Sequence, residues 1–144
     1  MKAKYMPEGY HTVTPFLVVK GVAELMVFLK ESFGAEEREM LKADDGRIMH
    51  AEVRIGDSVV MMGEPSEDSE AMPSILYLYL EAVDASYKKA LEAGAISVRE
   101  PEDQFYGDRS AAVKDASGNQ WWLATHVEDV PPDEMQRRAT EDMS

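Results

Sequence analysis

ELMVFLKESFGA (Glu24–Ala35) and DASYKKALEAGA (Asp84–Ala95) are the two stretches whose reading decides the fold. In the first, Leu25, Phe28, Leu29 and Phe33 fall at helical spacing; the second reads as a helix over about Asp84–Ala93. Both close on the same small-residue signal, Phe33-Gly34-Ala35 and Ala93-Gly94-Ala95, set 60 residues apart. Glycine just past a helix supplies the left-handed conformation that stops it. Outward from these signals the chain repeats itself. Thr12–Gly63 reads strand, helix and three short strands, and Ser74–His126 reads the same way again. Repetition of a whole supersecondary unit is a fold-level signal. It predicts an α+β chain of two βαβββ modules forming a curved mixed sheet around a cavity.

The strands follow from local chemistry. Val13–Val19 is an apolar run in which Pro15 demotes part of the segment to a strand edge or bulge. Glu36–Lys42 is closed by the turn Asp44-Asp45-Gly46, and Ile48–Ile55 and Ser58–Met62 flank the hairpin turn Gly56-Asp57. In the second half, Ile75–Leu80 and Ile96–Arg99 are extended and Glu100–Asp108 is a loop. Arg109–Lys114 and Gln120–His126 form a hairpin across Asp115-Ala116-Ser117-Gly118. These elements define a single domain over 1–144: a first module at about 12–63, a linker at 64–73, a second module at about 74–126 and a tail at 127–144. The tail either forms a short helix over Asp133–Arg138 or stays disordered.

Composition narrows the partners. The net charge of −13 argues against nucleic acid, because phosphate binding needs a positive surface; it favours cationic small ligands only weakly, since much of the acid, in Glu64–Glu70 and Glu128–Glu141, reads as a solvated surface that aids solubility. With no cysteine, disulfides, thiol nucleophiles and thiolate metal sites are excluded. No apolar run is long enough for a membrane span, and MKAKYMPEGYHT has no apolar core of a secretory signal. The expected compartment is the cytoplasm.

Strand side chains alternate between faces, so parity sorts them. Leu76, Leu78 and Leu80 suit packing under a helix, which leaves Tyr77 and Tyr79 toward the open side. Met49, Ala51, Val53 and Ile55 form an apolar set opposed to His50, Glu52 and Arg54. Trp121 and Leu123 alternate with Trp122 and Ala124, and Leu17 with Phe16. One face is therefore aliphatic. The other gathers Phe16, His50, Glu52, Arg54, Tyr77, Tyr79 and Trp122, a mixture of large apolar area and a few polar groups that suits a small-molecule pocket. The same polar residues also fit an ordinary charge ladder on a half-exposed sheet.

HAEVRIGDSVVMM (His50–Met62) and YGDRSAAVKDASGNQWWLATH (Tyr106–His126), set in the paired modules, resemble the vicinal-oxygen-chelate superfamily of glyoxalases, extradiol dioxygenases and bleomycin-resistance proteins. The closest branch is the PhnB-like one. The resemblance covers about Thr12–His126 and is specific for the fold; one such scaffold serves many chemistries. In metal-dependent members it implies ligands on the first, third or fourth, fifth and last strands, which here fall on Thr14, Glu52, Ile75 and Trp122. Only Glu52 is a competent ligand, and a divalent ion needs about three or four such donors. A shifted set of His50, Glu52 and His126 is the remaining arrangement.

The expectation is a metal-independent, small-molecule-binding protein without a cofactor, taking an aromatic or cationic ligand. The alternative is a metal-dependent lyase, isomerase or dioxygenase with Glu52 and His50 as catalytic candidates. No glycine-rich phosphate loop or Gly-x-Ser-x-Gly elbow is present. A homodimer is expected, because exposed sheet edges are normally covered and the resemblance implies cavities completed by a second subunit. The tail 127–144 is the candidate for reaching across.

Overall fold

A computed structural model describes residues 2–142. Eleven elements follow the order β1 (Phe16–Val18), α1 (Val22–Phe33), β2 (Glu36–Lys42), β3 (Ile48–Ile55), β4 (Ser58–Gly63), β5 (Ile75–Tyr79), α2 (Val83–Glu92), β6 (Ile96–Asp103), β7 (Asp108–Lys114), β8 (Gln120–His126) and α3 (Pro132–Asp142). They build two four-stranded sheets, ordered β1-β4-β3-β2 and β5-β8-β7-β6. In each, the first strand runs parallel to the last and the other pairs are antiparallel. The fold is thus α+β, with two βαβββ modules of identical topology. Two compact units carry them: residues 2–74 with 116–118, and residues 75–115 with 119–142.

In unit 1, α1 starts and stops on glycines. Gly34 (φ 66°) ends it in the left-handed conformation, its N–H donating to the Lys30 carbonyl at 3.1 Å. At the other end Gly21 (φ 90°) brings no capping side chain. Glu64, just past β4, supplies one: its Oε1 accepts from the N–H groups of Gly21 and Val22 at 3.0 and 2.9 Å. A carboxylate there also meets the positive end of the helix dipole. Leu25, Met26 and Leu29 of α1 are buried, as are Leu17, Val53 and Met62 of the sheet, and α1 lies over β3.

Three departures from the simple pattern have local causes. The first strand pairs only over Phe16–Val18, and Val13 is exposed; Pro15 has no N–H, though its carbonyl accepts from the Met61 N–H at 2.9 Å. Met49 is exposed and Ile48 buried, opposite to strict alternation, where the β2–β3 register shifts between Leu41 and Lys42. In unit 2, β6 does not stop at Arg99. It runs through Pro101 to Asp103 by a register irregularity between Arg99 and Glu102, as an outer strand tolerates.

The unit 2 core is Val83, Ala90, Ala111, Val113, Trp121 and Leu123. Helix α2 packs chiefly on β6, β7 and β8. The leucines of β5 are consequently only half-buried, because β5 pairs with β8 alone and α2 lies over the other strands. At the β7–β8 turn, buried Asp115 accepts from the Asn119 backbone N–H (3.0 Å) and from the Trp121 indole N–H (2.9 Å). The tail is helical over Pro132–Asp142, longer than the short helix expected over Asp133–Arg138. Arg138 ties it to the Phe105 carbonyl (3.1 Å) and the Glu128 carboxylate (2.9 and 3.0 Å). The last two residues of the tail lie outside the described residues. No helix among the described residues is long and apolar enough to cross a membrane.

Candidate functional site

In unit 1 the register sets Phe16, Met61, Glu52 and Glu39 in one row across all four strands. Glu52 lies in the middle of the sheet and is 4% exposed. Its Oε2 meets His50 Nε2 at 2.6 Å, and burial pushes its pKa above the ordinary carboxylate value. The imidazole of His50 in turn lies 5.8 Å from the Phe16 ring. Phe16, His50 and Glu52 therefore form one contiguous group. Arg54 does not join them: it is exposed, and its Nε donates to the Gly56 carbonyl at 3.0 Å.

Glu52, Glu39 and Met61 form the floor of a cavity of about 970 Å³. Its outer wall is the N-terminal segment, which contributes Tyr5, Glu8, Tyr10 and His11 among others. The sequence signals pointed only to the floor, because that segment has no periodicity. A β-bulge places the connecting residue. The β2–β3 register shifts between Glu37 and Glu39, so Arg38 is re-aimed out of the ladder. Its guanidinium sits 5.1 Å from the Tyr10 ring centre and donates to the Glu8 carbonyl at 3.3 Å. The lining thus holds three carboxylates, Glu8, Glu39 and Glu52, against the single guanidinium of Arg38. Such a cavity favours a cation with an apolar body.

Tyr77, Tyr79 and Trp122 lie in unit 2. Tyr77 is in register with Trp122, and Tyr79 with Ala124. Trp122 faces the small Ala112 on β7, as the hairpin spacing predicts, and its indole N–H donates to Gln120 Oε1 at 3.1 Å. Arg99 lies 5.3 Å over its ring. Both tyrosine hydroxyls donate to Asp108 Oδ2, at 2.7 and 3.0 Å. Asp108 is buried at the start of β7. Its Oδ1 lies 2.9 Å from His126 Nδ1, and His126 Nε2 lies 2.7 Å from Asp129. Burial pushes the Asp108 pKa up, but the hydrogen bonds from His126, Tyr77 and Tyr79 together hold it below the ordinary value. Tyr77 is raised by burial and then by Asp108; Tyr79 by its bond to Asp108 and then by burial. His126 is raised by its bonds to Asp108 and then Asp129.

Asp108 is the residue that sequence reasoning missed, having assigned it to the end of a loop. The signal was present: counting back from the Asp115–Gly118 turn pairs position 108 with His126.

The donor set for a metal does not fit. Of Thr14, Glu52, Ile75 and Trp122, the last two offer no lone pair for a cation. The Thr14 hydroxyl donates to the His11 carbonyl. His126, the third member of a shifted set, has a carboxylate at each ring nitrogen in unit 2. Among the described residues no cluster of three or more His, Asp or Glu side chains is disposed to hold an ion.

A model of the glyoxalase/bleomycin resistance protein/dioxygenase superfamily matches residues 10–123. An uncharacterized protein of Mycobacterium bovis is 34% identical over 135 residues, covering 86% of this chain and 89% of that protein. Among solved structures, TioX from Micromonospora sp. ML1 is similar at a TM-score of 0.70 and 22% identity, over 81% of this chain and 99% of its own. TnmS3, an antibiotic binding protein from Streptomyces sp. CB03234, is similar at 0.66 and 19% identity, over 86% and 99%. The doubled βαβββ topology, the match across both modules and the one-third identity to a full-length relative agree: the chain belongs to the glyoxalase/bleomycin resistance protein/dioxygenase superfamily.

Proposed function

We propose that this superfamily member binds a small organic cation with an apolar or aromatic body, without a metal. The observation that carries this reading is the buried Glu52 carboxylate on the floor of the unit 1 cavity, with Glu8, Glu39 and the rings of Tyr5 and Tyr10 around it. A carboxylate screened from water holds an opposite charge more strongly than a surface one, and the stacking of the Arg38 guanidinium on the Tyr10 ring is an example of a cation held by an aromatic face in this lining. The antibiotic binding described for TnmS3 is consistent with sequestration as a use of this fold. Our assignment to the PhnB-like branch rests on the two sequence segments quoted above. Calorimetry against a panel of planar amines is expected to find a saturating ligand, with Glu52→Gln weakening it by about tenfold or more. Equal affinity of the variant for every hit overturns the reading.

A second reading rests on the 2.6 Å contact of His50 with Glu52. A carboxylate with a raised pKa beside an imidazole is suited to proton transfer. The superfamily's metal-dependent lyase, isomerase or dioxygenase chemistry lacks its donors here, so such an enzyme would rely on this pair alone. Turnover abolished by both His50→Gln and Glu52→Gln, with ligand affinity retained, would select it.

A further inference from the structure

We propose that unit 2 carries a separate ligand site, centred on Asp108 and roofed by Tyr77 and Tyr79, for a monocationic hydrogen-bond donor on a planar body, such as an amidinium. Asp108, Ser110 and Ala112 occupy alternate positions of β7 and so share one face. The register adds His126, Ala124 and Trp122 from β8 opposite them, and Tyr79 and Tyr77 from β5 beyond. Because Ala124 offers only a methyl group, both phenol rings reach across β8 to the Asp108 carboxylate. Ala124 and Ser110 lie in the span they cross, and both are completely shielded from solvent. The roof itself is 43% exposed at Tyr77 and 65% at Tyr79. It consists of two side chains whose ring centres lie 5.3 Å apart, with Tyr106 a further hydrogen-bond partner of Tyr77.

Under this roof the Ser110 hydroxyl is buried and has no hydrogen-bond partner among the described residues. Folded proteins leave few such groups, and one on a face shared with a buried carboxylate is open to a partner from a ligand or from water. The neighbouring groups agree: the carboxylates of Asp108 and Asp129 outnumber the single imidazole of His126 that lies between them. The phenols are neutral donors to Asp108. A ligand cation that takes the place of one of them makes a shorter, charge-assisted bond, and a forked donor extends to Ser110. Arg99, stacked over Trp122, keeps the positive end away from the indole and directs it to Asp108. Arg109, next along β7, is turned to Asp84 and Asp103 on the other side of the strand.

Benzamidine is the probe, followed by amide chemical shifts in ¹⁵N-labelled full-length protein. Saturating shifts are expected at Ser110, Ala124 and His126, with benzamide, its neutral analogue, at least about tenfold weaker. Asp108→Asn should lose the shifts and Ser110→Ala should weaken them several-fold. Glu52→Gln should leave them in place, which separates this site from the unit 1 reading. If Asp108→Asn does not fold, Tyr79→Phe decides. Removing the competing hydroxyl should strengthen benzamidine several-fold, whereas a purely structural tyrosine–aspartate pin gives equal or weaker binding. No shift at millimolar benzamidine, equal binding of benzamide, or an unstrengthened Tyr79→Phe each overturns the proposal.

Discussion

Trp121 and Trp122 are adjacent and chemically identical, yet the fold gives them opposite roles. Trp121 is fully buried on the helix-facing side of β8, with its ring nitrogen on Asp115; Trp122 is half-exposed on the other face. Trp121→Ala is expected to cost ~3–5 kcal/mol in urea unfolding, and Trp122→Ala about 1 kcal/mol or less. Parity alone separated this pair. It could not find Asp108, whose contacts join β5 to β7 through side chains long enough to cross the strand between them. Nor could it foresee that His126 sits between two carboxylates. That position carries a pH consequence. The folded-state pKa of His126 is raised, so the folded protein holds its proton more tightly than the unfolded chain. The stability this adds is complete below the unfolded value, about 6.5, and is lost as pH rises through the folded value. Unfolding midpoints should fall from pH 5.5 to pH 9, and the fall should be smaller in His126→Gln. Identical slopes would contradict the clamp.

Element boundaries were legible wherever a backbone requirement wrote itself into composition. The glycine after each helix, the Gly56-Asp57 hairpin and the Asp115–Gly118 turn all lie where the sequence predicts, and β2, β3 and β8 match their expected ranges. Misplacements arose where tertiary partners decide. Under simple alternation Leu78 is a core residue; with α2 over β6, β7 and β8 it is only half-buried. Leu123, at the same level on β8, is completely buried. Leu123→Ala should therefore cost ~2–5 kcal/mol and Leu78→Ala clearly less; the reverse order in denaturation would place α2 wrongly. The N-terminal segment was illegible for a different reason. It has no hydrogen-bonded ladder, and its link to the sheet passes through a bulge that no periodicity announces. Arg38→Ala should remove that link, so exchange of the Tyr10 amide, which is bonded to the Pro7 carbonyl, is expected to accelerate while β3 and β4 stay protected. Unchanged exchange there would show that the segment is held by something other than Arg38.

At the scale of the molecule, the charge and the exposed apolar surface pull in opposite directions. Phe16 in unit 1 and Ile75 and Ile96 on the two edge strands of the unit 2 sheet are each at least half exposed. We propose that a second copy covers part of this surface. The net charge of −13 on each chain opposes that association, and the opposition is long-ranged and screened by salt. Burial of apolar area is short-ranged and barely screened. Sedimentation at micromolar concentration should therefore show a species of about twice the 16.1 kDa chain mass. Its fraction should rise as ionic strength is increased from about 0.01 M to 0.15 M, where the screening length shrinks from roughly 30 to 8 Å. Ile75→Asp, which puts a further charge at an exposed apolar position of β5, should shift the balance to the single chain without lowering the unfolding midpoint much, because Ile75 is 71% exposed. A lone 16.1 kDa species at every salt concentration would falsify the dimer. It would leave these side chains to be explained as surface for a ligand or a different partner.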